Sequence, residues 1–151
     1  MPTRVLNWEK ARHSVGIPAI DEQHRRIVAE INALHQAAAK EIPHDAVRQL
    51  LGNLIQAIDR HFAYEERLMQ SHSFPDMETH KAEHREIVEH ATHLFNALTP
   101  ARPLRTELAL AYLTDWTERH VLEADKWLGV FLAARGLGNT DGDIGRRVSE
   151  E

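Results

Sequence analysis

Apolar residues recur along this chain at helical spacing, in four long stretches separated by proline-containing breaks. From about Ile20 to Lys40 the recurring positions are Ile20, His24, Ile27, Ile31 and Leu34. From about Asp45 to Ser71 they are Leu51, Leu54, Ile58, His61, Glu65 and Leu68. After Asp76 and up to Leu98 they are Met77, His80, His84, Ile87, Ala91, Leu94 and Leu98. From about Leu104 to Ala134 the inner positions are Leu108, Tyr112, Trp116, His120, Trp127 and Phe131. Steps of three and four place each set on one side of an α-helix. No period-two run of β-branched residues competes with that reading. Four long helices with short connections predict an all-α, up-down-up-down four-helix bundle.

The breaks set the boundaries. Pro43, within Glu41-Ile42-Pro43-His44-Asp45, is expected to stop the first helix. Ser73-Phe74-Pro75 turns the chain, and Asp76 is a candidate N-cap for the third helix. Thr99-Pro100-Ala101-Arg102-Pro103 makes the third connection, and the glycines from Gly136 to Gly142 end the fourth helix. Pro2, Gly16 and Pro18 predict an irregular N-terminal arm over residues 1–19, with Trp8 as its anchor and Asp21 as an N-cap or first-turn acid. The predicted organisation is an arm over 1–19, a bundle over 20–135 and a flexible tail over 136–151.

Composition narrows the class. A chain of 151 residues, 42% hydrophobic and 27% charged, suits one soluble domain. No apolar run approaches the roughly 20 residues of a membrane span, and the N-terminus lacks the apolar core of a signal peptide. A cytoplasmic location is the expectation. The absence of cysteine removes thiolate nucleophiles, disulfides and cysteine-held clusters. A net charge of -5 with scattered basic residues gives no nucleic-acid footprint. Histidine is the outlier, with 11 residues. Histidine without cysteine points to imidazole–carboxylate metal chemistry or to pH sensing.

The inner stripes carry that chemistry. Each predicted helix places ligand-type residues on its core line: His24 on the first, His61 and Glu65 on the second, His80 and His84 on the third, His120 with Asp125 on the fourth. A lone histidine on an apolar face is usually a hydrogen-bonded core residue. A whole set of imidazoles and carboxylates converging on one interior is hard to stabilise without cations. The set is too large for one open octahedral site and suits two ions joined by bridging carboxylates. Iron, manganese, zinc and nickel all accept such donors. His13, His35, His44, His72, His90 and His93 lie in loops or off that level and read as solvated; His35, on the His24 face, is also placed to plug the bundle end by a hydrogen bond.

One spacing conflicts with a regular helix. Five residues leave Asp125 about 140° around from His120. A π-type turn close to His120 would bring both to one site.

The order Ile20-Asp21-Glu22-Gln23-His24, His61-x-x-x-Glu65, His80-x-x-x-His84 and His120-x-x-x-x-Asp125-Lys126 resembles the hemerythrins, specifically their single-domain bacterial type. The resemblance covers the chain from about Trp8 to Leu132. It implies a non-heme centre of two iron ions (Fe2+/Fe3+) with a bridging oxide or hydroxide that binds dioxygen reversibly, without catalysis. By residue match, His80, His84 and His120 would hold one iron, His24 and His61 the other, with Glu65 and Asp125 bridging. Dioxygen would go to the iron held by His24 and His61. Its apolar lining would be Ile27, Phe62, Trp116, Thr117 and Val121. Thr117 departs from the bulky aliphatic residue common there, and Trp127 stands where tyrosine is frequent. The resemblance suits a monomer engaged in carriage or storage, with an oxygen-consuming enzyme as a candidate partner; sensing and scavenging would begin with the same binding step.

Two other metal chemistries compete. His80-Lys81-Ala82-Glu83-His84 fits an H-x-x-E-H metallohydrolase pattern with Glu83 as general base. Helical geometry turns Glu83 about 100° off the His84 line, toward solvent. A ferritin-like oxidase needs Glu-x-x-His on two helices, and the sequence between Glu41 and His44 is interrupted by Pro43.

Overall fold

Pro18 begins the first long helix rather than breaking one. Its missing N–H falls where a helix has no internal partner for it, and α2 runs Pro18–Ala39. The computed structural model describes residues 6–100 and 106–137, with backbone alone at 106–108. A short turn of helix, α1 (Lys10–His13), precedes α2. It is followed by α3 (His44–Ser71), α4 (Met77–Ala97), α5 (Thr106–His120) and α6 (Lys126–Ala134). A π-helical turn, π1 (Val121–Asp125), joins α5 to α6. The predicted all-α bundle is present: α2 packs on α3 and α5, and α4 packs on the same two helices. Among the described residues no helix is long and apolar enough to cross a membrane. The expected start of the fourth helix at Leu104, the side chain of Leu108, residues 1–5 and the tail from 138 onward lie outside the described residues.

Helix ends follow a common device with unexpected residues. After α2, Glu41 takes a left-handed φ of 50°, and the Ile42 N–H returns to the Ala37 carbonyl. After α3, Ser73 does the same at 53°, and the Phe74 N–H returns to Met69. After α6, Gly136 at 88° lets Leu137 N–H reach Leu132. Each is a Schellman-type cap. Pro43 therefore does not stop α2; it is the residue preceding α3.

The arm is ordered against the bundle over its described part. The Asp21 carboxylate accepts hydrogen bonds from the Ser14 hydroxyl and the Val15 N–H. Arg25 lies over the Trp8 ring, 4.2 Å from its centroid, as the anchor reading anticipates. Asn32 donates to the Leu6 carbonyl at 2.8 Å. Gly129 permits the closest approach: a Cβ there would stand 2.1 Å from the Val15 carbonyl oxygen.

The core is divided in two. One apolar cluster contains Ile27, Ile31, Leu54, Ile58, Phe62, Ile87, Leu113 and Trp116. The other contains Ile17, Ile20, Leu68, Met69, Phe74, Leu128 and Leu132. Each long helix crosses from one cluster to the other, and the crossing residues are the histidines and acids picked out by the pattern.

Candidate metal centre

The π turn settles the spacing conflict at His120 and Asp125. A π turn uses more residues per revolution than an α turn, so Asp125 comes round to the His120 side. Asp125 Oδ1 lies 3.1 Å from His120 Nε2. The same shift has a second effect. Beyond π1 the centre of the inner face moves from Trp127 and Phe131, where an unbroken helix would put it, to Leu128 and Leu132, both wholly buried, and Phe131 stays half-buried at its edge. Trp127 is 43% exposed and donates to Asp76 at 2.7 Å. Tyr112 also faces outward, its hydroxyl donating to Glu86 at 3.1 Å.

All of the predicted ligand residues meet in the polar layer. Two groups form, one of Glu65, His80, His84, His120 and Asp125, the other of His24, His61, Glu65 and Asp125. Within each group one ligand atom per residue lies within 4.8 Å of every other. Glu65 and Asp125 belong to both and are 0% and 1% exposed. Glu65 Oε1 faces His80 and His84 at 3.1 Å, and its other oxygen faces His61 at 3.1 Å. Asp125 Oδ1 faces His80 at 3.0 Å, and Oδ2 faces His24 at 2.9 Å. Each carboxylate thus spans the two groups with one oxygen toward each.

Several of these atoms are close without hydrogen-bonding. Glu65 Oε2, His84 Nε2, His120 Nε2 and both Asp125 oxygens are buried and have no hydrogen-bond partner among the described residues. His24 Nε2 and His61 Nε2, by contrast, share a hydrogen bond of 3.1 Å. An octahedral ion with bonds of about 2.1 Å holds neighbouring ligands about 3.0 Å apart. The separations and the orphaned lone pairs fit two such ions, and the nitrogen–oxygen donor set without sulfur suits iron.

Without metal, protons do part of this work. Burial disfavours charge on His80, but the Asp125 and Glu65 carboxylates beside it outweigh burial and raise its pKa to about 9. Burial likewise opposes charge on His120, and Asp125, Glu83 and Glu65 prevail, raising it to about 10. Burial pushes Glu65 and Asp125 upward, and the Asp125 charge adds to this at Glu65. The surrounding imidazoles reverse the sum and hold both well below the usual carboxylate range.

Three residues outside the predicted ligand set complete the layer. The Nδ1–H of His61 donates to Gln23 Oε1 at 2.6 Å. That of His84 donates to Glu66 Oε2 at 3.0 Å, and that of His120 to Glu83 Oε1 at 3.0 Å. Each acceptor sits on the preceding long helix. Each bond presents the Nε2 lone pair inward. Glu83, expected to face solvent, instead reaches across to α5. The signal was present but faint: Gln23, Glu66 and Glu83 each stand one residue from His24, Glu65 and His84, on the helix edge facing the next helix.

The residues read as an apolar lining are all buried: Ile27, Phe62, Trp116, Thr117 and Val121. Phe62 stacks on His84 with ring centroids 3.6 Å apart, and Trp116 stacks on His120 at 4.6 Å. Of the histidines read as solvated, His93 is exposed, and two are buried. His13 lies beneath α5, accepting from the Glu9 N–H and donating to Glu118 at 3.1 Å. The helical turn α1 carries it there. His35 is hydrogen-bonded to the Thr114 hydroxyl at 3.0 Å, which is the plug its position allowed. His44, His72 and His90 are half-buried.

The chain matches the family described as Hemerythrin HHE cation binding domain over residues 15–131. It is 28% identical to a bacteriohemerythrin of Methylococcus capsulatus over 130 residues, which is 86% of this chain and 98% of that protein. It is 31% identical to a bacteriohemerythrin of Pseudomonas aeruginosa over 121 residues, covering 80% of this chain and 76% of that one. A wild-type hemerythrin crystal structure superposes with a TM-score of 0.79 at 27% identity, over 86% of this chain and 99% of the other. The chain belongs to the hemerythrin family.

Proposed function

We propose that this chain binds dioxygen reversibly at a centre of two iron ions, for carriage or storage, and that it does so without catalysing a reaction. The observation that carries the reading is the pair of overlapping ligand sets, which share Glu65 and Asp125 and differ in imidazoles. His80, His84 and His120 would hold one iron, His24 and His61 the other. The set with one imidazole fewer is the one with room for an external ligand.

Bound iron would supply two electrons to dioxygen, one from each ion, and take them back on release. The protein's part is to hold the ions and keep the surroundings dry. Glu65 and Asp125 fix the distance between the two sets. Phe62 and Trp116 stack on His84 and His120 and limit ring motion. Ile27, Phe62 and Val121 offer no proton donor, which favours release of dioxygen unchanged. Glu83 is engaged with His120, so the general base of a hydrolase reading is already committed elsewhere.

The test is stoichiometry. Metal-free protein loaded with ferrous iron under nitrogen should take up two ions per chain and then one dioxygen per pair, recoverable on lowering the oxygen pressure. Continuous oxygen consumption would argue for an oxidase, and uptake of a single ion would reject the proposal.

A further inference from the structure

The hydrogen bonds behind the imidazoles are unevenly distributed. In the group of His80, His84 and His120, two rings donate to carboxylates, His84 to Glu66 and His120 to Glu83, both at 3.0 Å. In the group of His24 and His61, His61 donates to the neutral amide of Gln23, and His24 Nδ1 is buried with no hydrogen-bond partner among the described residues. The acceptors pass from α2 to α3, from α3 to α4 and from α4 to α5, and the sequence of bonds is not continued to His24. A carboxylate behind an imidazole fixes its tautomer and raises its basicity toward a metal. An amide fixes the tautomer with less effect on basicity.

We propose that Glu66 and Glu83 are positioning residues that make the His80, His84 and His120 half of the centre the tight, first-filled metal site, and that Gln23 leaves the His24 and His61 half the weaker one. The inference rests on the two-ion reading and adds an order of filling to it. Two anions within hydrogen-bond reach of the outer ring edges strengthen donation on one side only. The extra imidazole acts in the same direction. The carboxylates are partly exposed, at 34% for Glu66 and 38% for Glu83, so they can be exchanged for amides at little cost to folding.

The experiment is an anaerobic titration of the metal-free full-length chain with cobalt(II), followed by visible absorption and by competition with a chelator. The expected result for the unaltered chain is two steps, tight then weak. Glu83→Gln and Glu66→Gln should each weaken the tight step by about 10–100-fold and move the weak step much less. Gln23→Glu should tighten the weak step by a comparable factor, a gain that simple structural damage would not produce. Circular dichroism of each metal-free variant checks that the helices are intact. Two equal steps in the unaltered chain would overturn the proposal and leave the two-ion reading standing. So would a tight step indifferent to both glutamate changes, or a Gln23→Glu variant that shifts both steps alike. Saturation at one ion would instead overturn the two-ion reading itself.

Discussion

Charge at single residues decides how the metal-free protein behaves. The folded state holds protons on His80 and His120 up to about pH 9 and 10, whereas an unfolded histidine loses its proton near 6.5. The folded state therefore binds more protons between those limits, and its stability falls as pH rises through that interval. Glu65 and Asp125 act in the opposite direction, since their contribution is present above the ordinary carboxylate range and is lost in acid. The predicted result is a melting temperature for the metal-free chain that is highest between the two ranges and declines from about pH 7 to 10, with the decline much reduced when metal replaces the protons. Melting curves across pH, with and without metal, check it; a flat metal-free profile would contradict the charge assignment. At Thr117, buried one turn from His120, a hydroxyl stands where an apolar group would better exclude water. Thr117→Leu should slow the conversion of the oxygenated, iron-loaded protein to its ferric form, read as the decay of its visible absorption. Equal or faster decay would reject that role. The candidate ligand positions other than Asp125 were legible because each lies on an apolar stripe of period near 3.6, and Asp125 was reached only through the π turn that its spacing demanded. Gln23, Glu66 and Glu83 were not legible, because they lie one position off the stripe, where polar side chains ordinarily meet water.

Elements were legible where the pattern is long and illegible where one residue changes the phase. The four stripes predicted the four long helices, and the misfit of His120 with Asp125 predicted a π turn. The consequence of that turn was missed: it slips the inner face by one residue, so Leu128 and Leu132 take the centre of the core, Phe131 packs half-buried at its edge and Trp127 is exposed. The caps were also hidden, since glutamate and serine carry no sequence signal for a left-handed φ. Those caps give a prediction. Glu41 at φ 50° bears a strain that glycine lacks, so Glu41→Gly should stabilise the chain by about 1 kcal/mol in urea unfolding. A loss of stability there would contradict the cap. The arm gives the opposite case. At Gly129 a methyl group would stand 2.1 Å from the Val15 carbonyl oxygen, and backbone yields poorly. Gly129→Ala should cost about 1–3 kcal/mol; an unchanged midpoint would mean that the arm does not lie against α6 in solution.

At the scale of the molecule, the fold is two apolar clusters joined through a polar layer. The clusters supply the burial that holds four helices together. The layer places imidazoles and carboxylates where only cations can satisfy them all. Each long helix contributes to both, so the spacing of the ligands is fixed by the same packing that makes the bundle. Among the described residues, the π turn is the departure from regular helix that this arrangement needed. Carriage or storage follows if the loaded layer takes up dioxygen and gives it back. The most direct measurement is the visible spectrum of ferrous-loaded protein through repeated cycles of air and deoxygenation. Absorption should appear on exposure to air, disappear when oxygen is removed, and return at nearly full strength over several cycles. Absorption that develops once and does not reverse, or no change at all, would contradict it.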